Sequence, residues 1–278
     1  MKKLSIIVPV YFNAESLPIL FGRLQEIEER LVVMDMAMEL IFVDDGSQDN
    51  SLNELLLIKE ANPTIKIIKL TRNFGAIHAS KCGMKFVSGD CFMILAADLQ
   101  DPPELIIEMV EKWLAGSKFI ICKRSSRDDP LVSKFFSRVY YLLLRWLVLR
   151  NYPNGGYDMA LMDKDLLPYL QQSSKNLYTP LLAYWLGYQP EIISYHRAKR
   201  IHGKSRWTFA KKFKAMLDVI LGFSVTPIRM ISVVGVIVSL CSFTYGTSII
   251  LHAFFGQIEV PGAPTIIALI TFLLGLII

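Results

Sequence analysis

Apolar positions along the first 125 residues fall into two alternating kinds of run. Short runs rich in β-branched residues occupy 4–10, 39–43, 65–70, 91–96 and 119–122. Longer stretches with helical periodicity lie between them, at 14–33, 51–61, 75–87 and 103–115. Strand and helix alternating at this spacing predict an α/β domain built on a mostly parallel sheet. Ligands in such sheets bind beyond the carboxyl ends of the strands. The polar residues with chemical potential cluster there: Pro9-Val10-Tyr11 after the first strand, Asp44-Asp45-Gly46-Ser47 after the second, and Asp98-Leu99-Gln100-Asp101 after the fourth.

Beyond residue 125 the pattern changes. An apolar helix over 131–149 carries Lys134, Arg138 and Arg145 among Phe135, Phe136, Tyr140, Tyr141 and Trp146. Three cations make it a poor membrane span; it reads as a helix in the headgroup plane, or as a core helix whose cations reach the surface. The stretch 196–214 holds eight Lys or Arg in nineteen residues and no acid. It sits just before a long hydrophobic segment, which favours phospholipid over nucleic acid as its partner.

From Met230 onward there is no Lys or Arg, and Glu259 is the one acid. Residues 230–255 are long enough to cross a bilayer, which takes about 20 apolar residues. A polar break at 256–262 and a second apolar run at 263–278 follow. The expected organisation is a catalytic domain over 1–223, with interfacial helices at about 131–149 and 207–223, and a transmembrane hairpin within 224–278. The basic flank places the domain in the cytosol and the chain in the inner membrane. Residues 1–10 read as a strand rather than a signal peptide. The hairpin offers a surface for self-association. The four cysteines show no metal-type spacing and read as reduced thiols.

Two familiar nucleotide motifs fail. No Gly-x-Gly-x-x-Gly follows the first strand, and Gly203-Lys204-Ser205 lacks the P-loop glycine, Ala198 standing in its place. What remains is an acid-based site. Carboxylates at the end of a buried strand, as in Asp44-Asp45, can take hydrogen bonds from a nucleoside or can simply form a turn. Asp98, Gln100 and Asp101 offer oxygen ligands to Mg²⁺ or Mn²⁺, a hard cation that would bridge a diphosphate and neutralise the leaving group.

Four segments in order resemble one family: Val8-Pro9-Val10-Tyr11-Phe12-Asn13-Ala14-Glu15, Val43-Asp44-Asp45-Gly46-Ser47-Gln48-Asp49, Arg72-Asn73-Phe74-Gly75 and Ala97-Asp98-Leu99-Gln100-Asp101-Pro102-Pro103-Glu104. Together they are similar to glycosyltransferase family 2, in the branch of dolichol-phosphate mannose synthase and the bacterial polyprenyl-phosphate glycosyltransferases. The resemblance spans about residues 4–210 and implies an A-type, Rossmann-like glycosyltransferase fold. By it, Pro9, Tyr11, Glu15, Asp44 and Asp45 hold the nucleoside, and Asp98 and Gln100 ligate the metal and diphosphate. Arg124, Arg200 and Lys204 grip phosphates, with Arg127 and Arg138 as further cations of the same kind. Two positions depart from the family pattern. Ala96 stands where many relatives have a further Asp, and Tyr157-Asp158-Met159-Ala160-Leu161 replaces Gly-Asp-Phe-Arg-Leu, keeping the Asp as Asp158.

The activity implied is inverting, metal-dependent transfer of a hexose from a nucleotide sugar, a UDP-sugar being favoured, to an undecaprenyl-type phosphate. The acceptor's second pKa lies near about 6, so a strong base is unnecessary. Asp158 is then either a base or an orienting group. Two alternatives are a membrane transferase elongating a polysaccharide and a non-catalytic nucleotide-sugar-binding protein. The first usually carries Gln-x-x-Arg-Trp, and here Leu142 precedes Arg145-Trp146.

Overall fold

The computed structural model describes residues 1–124, 131–150, 152–153, 156–174, 177, 179–195, 209–255, 262, 265–267, 269–270 and 273. The chain divides into two units, Met1–Val219 and Ile220–Ile278. The first unit is built on seven strands: β1 (Lys2–Val10), β2 (Met36–Asp44), β3 (Lys66–Lys69), β4 (Cys91–Ile94), β5 (Phe119–Arg124), β6 (Met159–Asp163) and β7 (Glu191–Tyr195). They form one sheet in the order β3-β2-β1-β4-β6-β5-β7. All neighbours run parallel except β6, which is antiparallel to both β4 and β5. That reversal has a functional consequence: the residue that enters β6 lies at the same sheet edge as the residues that leave the other strands.

Helices α1 (Leu17–Val33), α2 (Ser51–Ala61), α3 (Ala76–Met84) and α4 (Leu105–Leu114) connect the first five strands. Leu4, Ile6, Val8 and Val10 of β1 share a core with Leu17, Leu20, Leu24 and Leu31 of α1 and with Ile106, Val110 and Trp113 of α4. Each of the fully buried leucines stabilises the fold by about 2 kcal/mol. On the opposite face α3 lies so close that a Cβ on Gly83 would sit 2.5 Å from Ile7 Cγ2. With both faces covered, the central strands read as continuous apolar runs.

Tight turns fix the register. α1 ends at Met34, and Asp35 adopts φ 57°, a left-handed geometry that Asp tolerates better than most residues. Asp35 then accepts a hydrogen bond from the Lys2 N–H, which starts β2 beside β1. At the amino-terminal side of the sheet, buried Glu39 accepts from Ser5 Oγ at 2.5 Å, Lys66 Nζ at 2.7 Å, Ser88 N at 3.0 Å and Ser88 Oγ at 2.8 Å. This cluster joins β1, β2 and β3 to the entrance of β4.

Later elements are α5 (Leu131–Leu147), α6 (Leu167–Gln172), α7 (Thr179–Trp185), α8 (Phe209–Phe223) and α9 (Thr226–Phe254). Phe119, Tyr152, Tyr157 and Tyr184 pack as a cluster of rings with centroid separations of 5.2–6.1 Å. In the second unit, 23 residues of α9, Thr226–Ser248, are long and apolar enough to cross a membrane, and most of them are exposed. That helix begins four residues before the span expected at 230. Of the second expected span, only 265–267, 269–270 and 273 are described, and they are helical.

Burial works to raise the Glu39 carboxyl pKa, but the hydrogen bonds from Lys66, Ser5 and Ser88 outweigh it and lower the value to about 2 from an ordinary 4.5. A carboxyl depressed in the folded state stabilises fully above its unfolded pKa and loses that contribution as pH falls toward its folded one. Glu39→Gln is therefore expected to cost about 2 kcal/mol at pH 7. The gap from wild type should close between pH 4.5 and 2; denaturant unfolding across that range measures it.

Candidate active site

Four loops meet at the carboxyl edge of the sheet, and hydrogen bonds join them in series. Asp44, the last residue of β2, is fully buried. Its Oδ1 accepts from the Ser47 N–H at 3.1 Å, while its Oδ2, also buried, has no hydrogen-bond partner among the described residues. An unsatisfied carboxylate oxygen costs stability unless a ligand or water completes it. Asp45 is 2% exposed and differently used. Its two oxygens accept from the Phe74 N–H at 2.7 Å and the Gly75 N–H at 2.8 Å. The family-type segments Asp44-Asp45-Gly46-Ser47 and Arg72-Asn73-Phe74-Gly75 are thus one structural piece. Gly46, at φ 71°, lies against the Arg72 backbone with no room for a side chain.

The loop after β1 is tied to the same piece. Phe12 donates its N–H to Ser47 Oγ at 3.1 Å, and Asn13 donates its own to Ser51 Oγ at 2.8 Å. Phe12 adopts φ 57°, an uncommon conformation for an aromatic residue, of the kind that clusters at functional sites. It places half-buried Tyr11 and exposed Glu15 on either side of the turn, with Pro9 paired to Val43 below. Ser16 occupies the N-cap position of α1, yet its hydroxyl makes no cap. It lies 2.7 Å from the Ala97 carbonyl, so the loop that carries Tyr11 is fastened to the loop that carries Asp98.

In that last loop Leu99 takes φ 59° and is 2% exposed. Burying the leucine in the core holds the turn in its left-handed form and leaves Asp98 and Gln100 partly exposed on either side. Asp98 Oδ1 accepts from the Gln100 N–H at 3.3 Å. Among the described residues no group of three or more His, Cys, Asp or Glu could hold a metal ion. One carboxylate and one amide oxygen suit a divalent cation that takes its remaining ligands from a diphosphate, since Mg²⁺ is commonly held by one or two carboxylates plus substrate phosphates. The donor set fits Mg²⁺ or Mn²⁺ on that condition.

Across the sheet, the antiparallel β6 brings Asp158 to this edge just before Met159, with its N–H on the Cys122 carbonyl at 3.1 Å. Arg124, at the end of β5, grips Asp158 through a two-bond fork, Nε to Oδ2 and Nη2 to Oδ1, both 2.5 Å. Burial opposes the guanidinium charge, but the Asp158 hydrogen bonds and charge outweigh it and raise the Arg124 pKa. Tyr195, last residue of β7, places its hydroxyl 2.9 Å from Asp158 Oδ2 and 2.8 Å from Asp101 Oδ1. Burial first, then the two carboxylates, push its phenol pKa up, so the proton stays on the oxygen.

The structure therefore brings Pro9, Tyr11, Glu15, Asp44, Asp45, Asp98, Gln100, Arg124 and Asp158 to one edge. Arg127, Arg200 and Lys204 lie outside the described residues, and Arg138 is exposed on α5. Ser16, Ser51 and Tyr195 escaped the sequence reading, and Ser47 enters it only as part of its motif. The serines look like ordinary turn and cap residues, and the tyrosine lies 37 positions from Asp158 and 94 from Asp101.

Residues 5–171 match the family described as Glycosyl transferase family 2. The chain belongs to that family. A glycosyltransferase of Synechocystis sp. is 34% identical over 98% of this chain and 86% of its own length. The prophage bactoprenol glucosyl transferase homolog of Escherichia coli K12 is 30% identical over 99% of this chain and 89% of its own. Among solved structures, glucosyl-3-phosphoglycerate synthase from Mycobacterium tuberculosis, in complex with Mn²⁺, UDP-glucose and phosphoglyceric acid, superposes with a TM-score of 0.53. It covers 80% of this chain and 79% of that one at 13% identity, a likeness of fold. The family's catalytic domain accordingly accounts for the mixed, mostly parallel sheet.

Gly46→Ala should lower the unfolding free energy by about 2 kcal/mol, because the new Cβ meets backbone rather than a yielding side chain. That Cβ would stand 2.7 Å from the Arg72 carbonyl carbon. Gly22→Ala on α1, where a Cβ meets nothing within 4 Å, is the control and should be neutral or stabilising. Chemical denaturation of the two variants measures both effects.

Proposed function

We propose that this glycosyltransferase moves a hexose from a nucleoside-diphosphate sugar, UDP-linked by preference, onto a polyprenyl phosphate at a membrane surface. The observation that carries this reading is the meeting, at one sheet edge, of an acid-and-amide turn suited to a diphosphate-bound cation and an Arg124–Asp158 pair suited to phosphate. The relatives named bactoprenol glucosyl transferase, which align with nearly the whole chain, support the acceptor class. The apolar helix α9 supports membrane attachment, with the catalytic domain on the cytosolic side. Exposed Leu142 and Trp146 on α5, and Leu217 and Leu221 on α8, are suited to lipid contact.

In this reading the open oxygen of Asp44 receives a donor from the nucleoside, and Tyr11 and Glu15 flank it. Asp98 and Gln100 would hold Mg²⁺ or Mn²⁺, whose charge offsets that of the departing nucleoside diphosphate. Arg124 presents the rest of its guanidinium to phosphate oxygens, a geometry that suits planar, multi-bond recognition. The acceptor phosphate is largely dianionic at neutral pH, so its oxygen attacks the anomeric carbon without a base. A single in-line displacement of this kind inverts the anomeric configuration. Asp158 serves as the orienting partner of Arg124, because both its oxygens already accept from that guanidinium. Arg200 and Lys204 would add cations to the phosphates.

Purified full-length protein is to be incubated with Mn²⁺, undecaprenyl phosphate and radiolabelled UDP-glucose, UDP-galactose, UDP-N-acetylglucosamine or GDP-mannose. Label extracted into the organic phase is the expected result. Label in polymer would favour an elongating transferase, and no label with any donor would rule the activity out. Asp98→Asn should reduce transfer by more than about a hundredfold, and chelator should abolish it until Mn²⁺ is restored. Asp158→Asn should lower kcat by about a hundredfold, since it breaks a partly buried charged fork; near-normal turnover would dismiss Asp158 as an orienting group.

A further inference from the structure

We propose that Tyr195 is a positioning residue whose hydroxyl ties the turn carrying Asp98 and Gln100 to the carboxylate that aims Arg124, so that the two halves of the site keep one geometry. This rests on the function proposed above. Three facts support it. Tyr195 and Arg124 are register partners and the last residues of adjacent parallel strands, so their side chains start from the same level of the sheet. The hydroxyl reaches Asp101 Oδ1 at 2.8 Å and Asp158 Oδ2 at 2.9 Å, from two different loops. Tyr195 and Asp101 are buried, at 6% and 5% exposed, and the Asp158 side chain is 9% exposed.

A phenol has a single proton to donate. The two carboxylates therefore share it, and moving either one changes the hydrogen bond available to the other. Asp101 follows Gln100 directly, so its position sets that of the two oxygen donors beside it. Asp158 Oδ2 already accepts from Arg124 Nε, so its rotation would swing the guanidinium. With Nε and one Nη2 hydrogen given to Asp158, both Nη1 hydrogens and the second Nη2 hydrogen of Arg124 are left to meet a phosphate. In-line transfer needs the leaving group and the attacking phosphate aligned together, and small misplacement is costly.

Tyr195→Phe keeps the buried ring and removes only the hydroxyl. Assayed as full-length protein with Mn²⁺, UDP-glucose and undecaprenyl phosphate, it should lose about tenfold in kcat. The KM for UDP-glucose should change by less than about twofold, because nucleoside binding lies on the other loops. Placed in an Asp158→Asn or Asp101→Asn background, the same change should cost less than about a further twofold, since the tether is already cut. Unchanged kcat in the single variant, or a full tenfold loss in either background, would overturn the proposal. If the wild type transfers none of the four sugars, the proposed function fails by itself. The same two cycles read on thermal unfolding midpoints then decide the tether: non-additive shifts support it and additive shifts overturn it.

Discussion

Both faces of the sheet are covered by helices, and this constraint governs where polar chemistry can stand. A strand buried on two sides has no place for a charged side chain along its length, since desolvation would cost several kcal/mol without a partner. The exits are the strand ends. Near the amino-terminal side, inside β2, Glu39 stands only because Ser5, Ser88 and Lys66 hold its carboxylate. At the carboxyl edge the same need for partners is met by loop amides, hydroxyls and Arg124, and there one carboxylate oxygen of Asp44 has no partner among the described residues. The difference between the two ends is the difference between a satisfied cluster and a site.

The carboxylates at that edge divide into those that build and those that are offered. Asp45 spends both oxygens on Phe74 and Gly75 amides, Asp101 meets Tyr195, and Asp158 meets Arg124 and Tyr195. Their work is to hold loops. Asp44 Oδ2 has no hydrogen-bond partner among the described residues, and Asp98 and Gln100 stand partly exposed in the turn after β4. Left-handed backbone at Phe12 and Leu99 costs of order 1 kcal/mol each, and is sustained because neighbouring groups over-determine it. Ser47 and Ser51 hold the first, and the buried leucine side chain holds the second. Both turns are thus held by contacts within the protein itself.

Much of this was legible in the sequence, for a physical reason. Strands β1, β2, β4 and β5 are interior to the sheet, and their burial writes an apolar run between polar turns. The strands that escaped are β6 and β7. Met159–Asp163 follows a helix with no hairpin signal, so nothing local announces its antiparallel direction. Glu191–Tyr195 is an edge strand with exposed Ile192, and its five residues are too few for periodicity to register. Missing β7 meant missing Tyr195. Likewise, Asp45 resembles a ligand in the linear motif, and only the fold shows Phe74 and Gly75 folded back onto it.

The antiparallel strand also explains how the family pattern tolerates change at Tyr157-Asp158-Met159-Ala160-Leu161. Asp158 is fixed by its backbone, through its N–H on the Cys122 carbonyl, and by the Arg124 fork. Two positions later the chain is inside β6, where Ala160 pairs with Ile121 and is 7% exposed. A long cation at that position would have to leave a buried strand to reach the edge. Arg124, one strand over, supplies a guanidinium from a strand end and needs no such path. The carboxylate that the motif retains is thus paired with a guanidinium from β5 rather than with one from its own strand.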